Sequence, residues 1–104
     1  MQSKTQRKDL QTIRRILSEH KAELRQRFHI RRIALFGSWA RQEASEQSDI
    51  DILVEFEQPI GWEIVDVHRY LEELLGLRVD LVTPRALKRK PLLWASVQED
   101  LIDV

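Results

Sequence analysis

Apolar residues at Leu10, Ile13, Leu17, Leu24 and Phe28 recur at helical spacing with charges between them, which predicts an amphipathic helix over residues 8–28. The run Arg31-Arg32-Ile33-Ala34-Leu35-Phe36 stops at Gly37, as a buried strand ending in a tight turn would. Ser38 is a good N-cap, and residues 39–44 support a short helix with Glu43 near the positive end of its dipole. Ser45 to Ser48 reads as a polar loop. In Asp49-Ile50-Asp51-Ile52-Leu53-Val54-Glu55-Phe56, β-branched residues and a partial two-residue alternation predict a strand. Asp49, Asp51 and Leu53 fall on one face; Ile50, Ile52, Val54 and Phe56 fall on the other.

Pro59 and Gly61 break the chain, and the stripe Ile64, Val67, Leu71, Leu74 and Leu75 then predicts a helix ending at Gly76, a natural C′ residue. Leu77 to Val82 reads as a third strand closed by Thr83-Pro84. A basic patch of Arg85, Lys88, Arg89 and Lys90 leads to Pro91 at a helix start and to a stripe of Trp94, Val97, Leu101 and Val104. The predicted order is αβαβαβα(α). That is an α/β (α+β) class, with a small mixed sheet of three or slightly more strands flanked by helices.

The chain has 104 residues, which predicts one domain spanning 1–104 with a small core. Seventeen basic residues balance seventeen acidic ones, so no long-range field gathers nucleic acid or an anionic membrane, and a nucleic-acid partner is not expected. Without cysteine there is no disulfide, thiolate catalysis or cysteine zinc site. The charged N-terminal stretch lacks the apolar run of a signal peptide, and nothing is long enough to span a bilayer, so the expected location is cytoplasmic.

The candidate chemistry follows from the strand order. Gly37 closes the first strand and Asp49 opens the second, so these ends meet if the two strands are antiparallel. A helix joins the second strand to the third, which usually makes a parallel crossover and brings Asp80, near the start of the third strand, to the same sheet edge. Three carboxylates gathered there repel one another unless a cation neutralises them. Asp49 and Asp51 lie two apart on one strand and point the same way, an arrangement suited to a hard cation such as Mg²⁺ that also binds substrate phosphates. Glycine lets the backbone approach a phosphate, and the first amides of a helix beside the Ser38 hydroxyl favour an anion.

Gly37-Ser38, ten residues, then Asp49-Ile50-Asp51 resembles the nucleotidyltransferases of the DNA polymerase beta superfamily. Gly37, Ser38, Ala40, Arg41, Ser48, Asp49, Asp51 and Asp80 all fit the family pattern, and the resemblance covers most of the chain. Its size is similar to that of the minimal nucleotidyltransferases, often antitoxin partners of HEPN-domain ribonuclease toxins. The resemblance implies Mg²⁺-dependent transfer of AMP from ATP to a protein hydroxyl, a tyrosine of a cognate HEPN toxin. By the same resemblance, Asp49, Asp51 and Asp80 are catalytic and carry two metal ions, with Asp80 also a candidate base. Gly37, Ser38, Arg41 and Ser48 would bind the nucleotide.

One residue departs from the pattern. Gln42 stands where the family has glycine, which points to a continued helix there rather than a left-handed kink. Two alternatives stay open: a binding-type antitoxin that is weak in catalysis and covers its partner, and transfer to a small molecule presented by a partner domain. Assembly with itself or with a partner is also left open. His20, His29 and His68 lack metal-ligand spacing and are assigned nothing. Trp39, Trp62 and Trp94 must fill the core or anchor an interface. For Trp94, an interface and packing on its own sheet are both consistent with the stripe.

Overall fold

The computed structural model describes residues 9–45 and 47–104. The predicted helix start at residue 8 and loop residue 46 lie outside the described residues. The chain begins with α1 (Leu10–Glu19) and α2 (Lys21–Phe28), and β1 (Ile30–Phe36) and α3 (Gly37–Ala40) follow. Next come β2 (Ile50–Phe56), α4 (Glu63–Leu75) and β3 (Val79–Val82). The chain closes with α5 (Pro84–Leu87), α6 (Pro91–Asp100) and β4 (Ile102–Asp103). None of the described helices is long and apolar enough to cross a membrane.

The predicted 8–28 helix is two helices. Asp9 caps the first by accepting from the Thr12 amide at 2.8 Å, as N-cap carboxylates do. At His20 the imidazole Nδ1 lies 2.8 Å from the Ile16 carbonyl, so Nδ1 is the donor. The His20 amide meanwhile splits between the Ile16 and Leu17 carbonyls, each at 3.2 Å. A side chain entering the helical ladder bends it. The left-handed His29 (φ 59°) then ends α2 and turns the chain into β1.

The sheet order is β3-β2-β1-β4. β1 runs antiparallel to β2, with Phe36 opposite Asp51. β2 and β3 are parallel, with Asp51 opposite Asp80. One sheet face carries Ile33, Leu35, Ile50, Ile52 and Val54 and is covered by α1, α2 and α4 through Ile13, Leu17, Leu24, Val67, Leu71 and Leu75. This main core is apolar throughout, and among the described residues no buried polar side-chain atom lacks a hydrogen-bond partner, which is where a small domain draws most of its stability. The opposite face is thinner. There Ala34 and Leu53 meet Leu87 and Val97, with Phe36, Val82, Trp94 and Leu101 packed around them. The predicted division of β2 between two faces is therefore correct.

Two features of the C-terminal region differ from the expected helix. Trp94 and Val97 lie on α6, but Leu101 is extended (φ −60°, ψ 129°) and releases the chain into β4. β4 pairs antiparallel with Ala34 and Leu35 of β1. The Arg32 guanidinium grips both Asp103 oxygens, at 2.7 and 3.2 Å, and the Val104 amide donates to the Ile33 carbonyl at 3.1 Å. Trp94 is half-buried against the thin face. The tryptophan that stands in solvent is Trp62, 87% exposed.

Candidate active site

The thin face is left open at one end, where β1 stops and β2 starts. Gly37 has φ 73°, a left-handed value that lets the chain turn from β1 straight into α3. A second constraint acts on the same residue. A Cβ built on Gly37 would overlap Oδ2 of Asp51 and stand 3.0 Å from its Cγ. The bend and the carboxylate thus share one space, and only glycine fits.

Ser38 is not the cap that its sequence position suggests. Phe36 holds the cap position and offers no side-chain hydrogen bond. Ser38 instead lies in the first turn of α3, where the opening amides have no acceptor within the helix. The Trp39 ring is buried beneath this turn, and its Nε1 donates to the Ser48 carbonyl at 3.4 Å. The 45–48 loop is closed by the Ser45 amide donating to Ser48 Oγ at 3.0 Å and by a 3.2 Å contact between the two hydroxyls. The Ser48 hydroxyl is therefore occupied in holding the loop.

α3 ends at Ala40 rather than running through Ala44, and Gln42 adopts φ 61°. The expected continued helix is absent: the chain makes the left-handed kink with glutamine in the place of glycine. Holding a residue with a Cβ there costs about 1 kcal/mol. Part of that cost would be offset by the lower unfolded-state entropy of a non-glycine residue. Gln42→Gly is therefore expected to stabilise the protein by at most about 0.5 kcal/mol without changing the bend, as urea unfolding would measure.

Arg41 follows the turn. Its guanidinium donates to Glu43 at 2.9 Å and to Asp100 at 2.7 Å, and these carboxylates raise its pKa. The Asp100 contact fastens the bend to the end of α6. Sequence reasoning gave Asp100 no part.

Register places Asp51 and Asp80 side by side on the open face. The Asp51 carboxyl is half-buried, and its pKa is pushed up to about 6. Burial is the largest cause, followed by the Asp80 charge and a hydrogen bond between the two carboxyls, then by Asp49; Arg41 opposes the rise. That carboxyl–carboxyl bond exists only while one member carries a proton. Asp80 is exposed to solvent at the rim. Asp49 lies just before β2 and pairs with Arg78 at 3.1 Å. Arg78 also donates to the Gln47 carbonyl at 3.0 Å, and its own carbonyl accepts the Ile50 amide at 2.9 Å. It ties the loop to the start of β3, a role with no signal in the sequence beyond its place before Val79.

Among the described residues no three acidic or histidine side chains are grouped closely enough to hold a metal as they stand. Asp49 is paired with Arg78, although its charge still reaches Asp51. The donor set still suits a hard divalent cation. Asp51 and Asp80 lie side by side, and the burial and neighbouring charge that raise the Asp51 pKa to about 6 are what a cation would relieve. Arg78 and Asp49 are 74% and 49% exposed in their side chains, so their pairing is a weak one.

The fold therefore brings a half-buried carboxylate pair to the edge of a mixed sheet next to a glycine–serine bend, and residues 17–104 match the nucleotidyltransferase domain family. The chain belongs to that family and is a nucleotidyltransferase. It is 54% identical over 80 residues to the protein adenylyltransferase MntA of Thermococcus cleftensis, covering 76% of this chain and 81% of that one. A candidate protein adenylyltransferase of Methanocaldococcus jannaschii is 45% identical over 100 residues, covering 93% of this chain and 99% of the relative. A solved structure described as a candidate minimal nucleotidyltransferase superposes with a TM-score of 0.77 at 38% identity, covering 96% of this chain and 100% of that one. A toxin–antitoxin crystal structure with AMP-PNP shares the fold, with a TM-score of 0.64 at 23% identity over 92% of this chain and 72% of that one.

Proposed function

We propose that this protein transfers AMP from ATP to a hydroxyl of a partner protein, a tyrosine of a cognate HEPN ribonuclease toxin, and so acts as its antitoxin. The observation that carries the reading is the Asp51–Asp80 pair standing against the Gly37–Ser38 bend. The protein adenylyltransferase relatives support the choice of AMP and of a protein acceptor.

In this reading Asp49, Asp51 and Asp80 would hold Mg²⁺, with donor oxygens enough for two ions. The cation supplies charge neutralisation for the triphosphate. The amides at the start of α3 and the Ser38 hydroxyl hold phosphate oxygens. Arg41 and Ser48 serve the nucleotide by fixing that turn, Arg41 through Asp100 and Ser48 through its bonds to Ser45. The acceptor oxygen attacks the α-phosphorus, a new P–O bond forms, and the bond to the β-phosphate oxygen breaks as pyrophosphate leaves. Asp80 takes the hydroxyl proton, because it is the exposed member of the pair and an incoming protein side chain can reach it. Use of ATP suits a cytoplasmic location.

Incubation with labelled ATP, Mg²⁺ and the protein encoded beside it should label that neighbour. The label should fall below detection with Asp49→Ala plus Asp51→Ala. Labelling that persists in the double variant would reject the assignment. The binding-only alternative rests on the apolar stripes of the terminal helices, with catalysis weakened at Gln42, where the left-handed turn is intact. Under that alternative the double variant would still protect cells from the toxin.

A further inference from the structure

The other end of β2 holds a groove whose lining includes neither Asp51, Asp80 nor the Gly37–Ser38 bend. β3 ends at Val82, opposite Leu53, whereas β2 runs three residues further to Phe56. In the parallel ladder the Ile50 amide bonds the Arg78 carbonyl, so even-numbered residues of β2 turn their backbone groups toward β3. By that register the Val54 carbonyl would look for an amide at position 84, which is proline and has none. The Glu57 amide donates to His29 on the β1 side at 2.7 Å, so the Phe56 amide and carbonyl point away from β1. An open sheet edge is left, and a groove of about 610 Å³ lies along it, between the 57–64 segment and α5.

The walls are basic. Arg85 and Lys88 line the groove and have no acidic partner among the described residues, whereas its two acids are already matched, Glu55 by Arg31 at 3.0 Å and Glu57 by Arg25 at 3.2 Å. Arg89 and Lys90 extend the run of cations. We propose that this groove binds an extended, acidic segment of a partner protein as an added strand beside Val54–Phe56. Backbone pairing would supply an amide for the Val54 carbonyl and an acceptor for the Phe56 amide, with acidic side chains against Arg85 and Lys88. A nucleic acid has no backbone amide to offer these carbonyls. The chain's own residues 1–8 carry Lys4, Arg7 and Lys8 and no acid, so charge repels them. At the rise of a strand the segment would lie about 10–17 Å from Asp51, close enough to hold a partner beside the carboxylates. The proposal does not depend on the identity of the transferred group.

The test needs no ATP. Backbone amide exchange of the whole protein is followed by NMR with the probe peptide acetyl-(Glu-Val)₃-amide, its lysine counterpart and an oligoadenylate. The glutamate peptide should slow exchange at Phe56 and bind about tenfold more tightly than the lysine peptide at low salt. Arg85→Glu with Lys88→Glu should reverse that preference, and Asp80→Asn should leave it unchanged. Unaltered exchange at Phe56 with millimolar glutamate peptide, equal binding of the two peptides, or saturable oligoadenylate binding that shifts Arg85 and Lys88 would each overturn it.

Discussion

Asp51→Asn is expected to lower adenylyl transfer by about a thousandfold or more and, at the same time, to stabilise the metal-free protein at neutral pH. The two effects share one cause. Asp51 is half-buried beside Asp80, and its pKa is pushed up to about 6 from an ordinary value of 3.8. A carboxyl raised in the folded state stabilises that state fully below about pH 4 and loses this contribution as pH rises through 6. Above that the native protein carries an unrelieved repulsion, which asparagine removes. The gain at pH 7 should be about 1–2 kcal/mol, less than the full shift implies because Asp80 is exposed and water screens it. Urea unfolding of both proteins from pH 4 to 8 without divalent cations checks this. The stability difference should grow through pH 6, while transfer by wild type should decline below it.

Gly37→Ala is the second large effect. The substitution meets two costs at once: a left-handed φ of 73° and a methyl group placed on the Asp51 carboxylate. The backbone term alone is about 1–2 kcal/mol, and the overlap forces Asp51 to move. Displacement of a ligand by about 1 Å costs roughly a hundredfold in rate. Initial rates at saturating ATP, read beside a thermal unfolding curve, should therefore show transfer lost by about a hundredfold or more in a protein that still folds. Equal losses in Gly37→Ala and in a variant destabilised elsewhere to the same midpoint would assign the effect to folding alone.

The carboxylate pair was legible in the sequence because its position follows from topology. A strand that ends at Gly37, a strand that begins at Asp49 and a helical crossover to Asp80 leave few arrangements, and register then puts Asp51 opposite Asp80. The division of β2 into Ile50, Ile52 and Val54 against Asp51 and Leu53 followed from a period of two. Features that depend on single side chains were not legible. Leu17 and Leu24 lie seven residues apart, so apolar spacing continues through the break that the His20 ring makes. β4 has two residues and is held by Arg32 and Asp103, a pairing that no local pattern announces. Gln42 bends where propensity favours a helix, because Arg41 is fastened to Asp100 and the chain must turn toward the loop. Arg78 pairs with Asp49, a partner that its place before Val79 does not announce, while the hydrogen-bonded carboxyls are Asp51 and Asp80.

Mn²⁺ binding followed by electron paramagnetic resonance, in the presence of a non-hydrolysable ATP analogue, tests most directly whether Asp51 and Asp80 share a cation. Wild type should bind the ion at pH 7.5, and Asp51→Asn and Asp80→Asn should each weaken binding by about tenfold or more, as removal of one charged ligand does. Undiminished binding in Asp80→Asn would contradict a cation held between β2 and β3 beside the Gly37 bend.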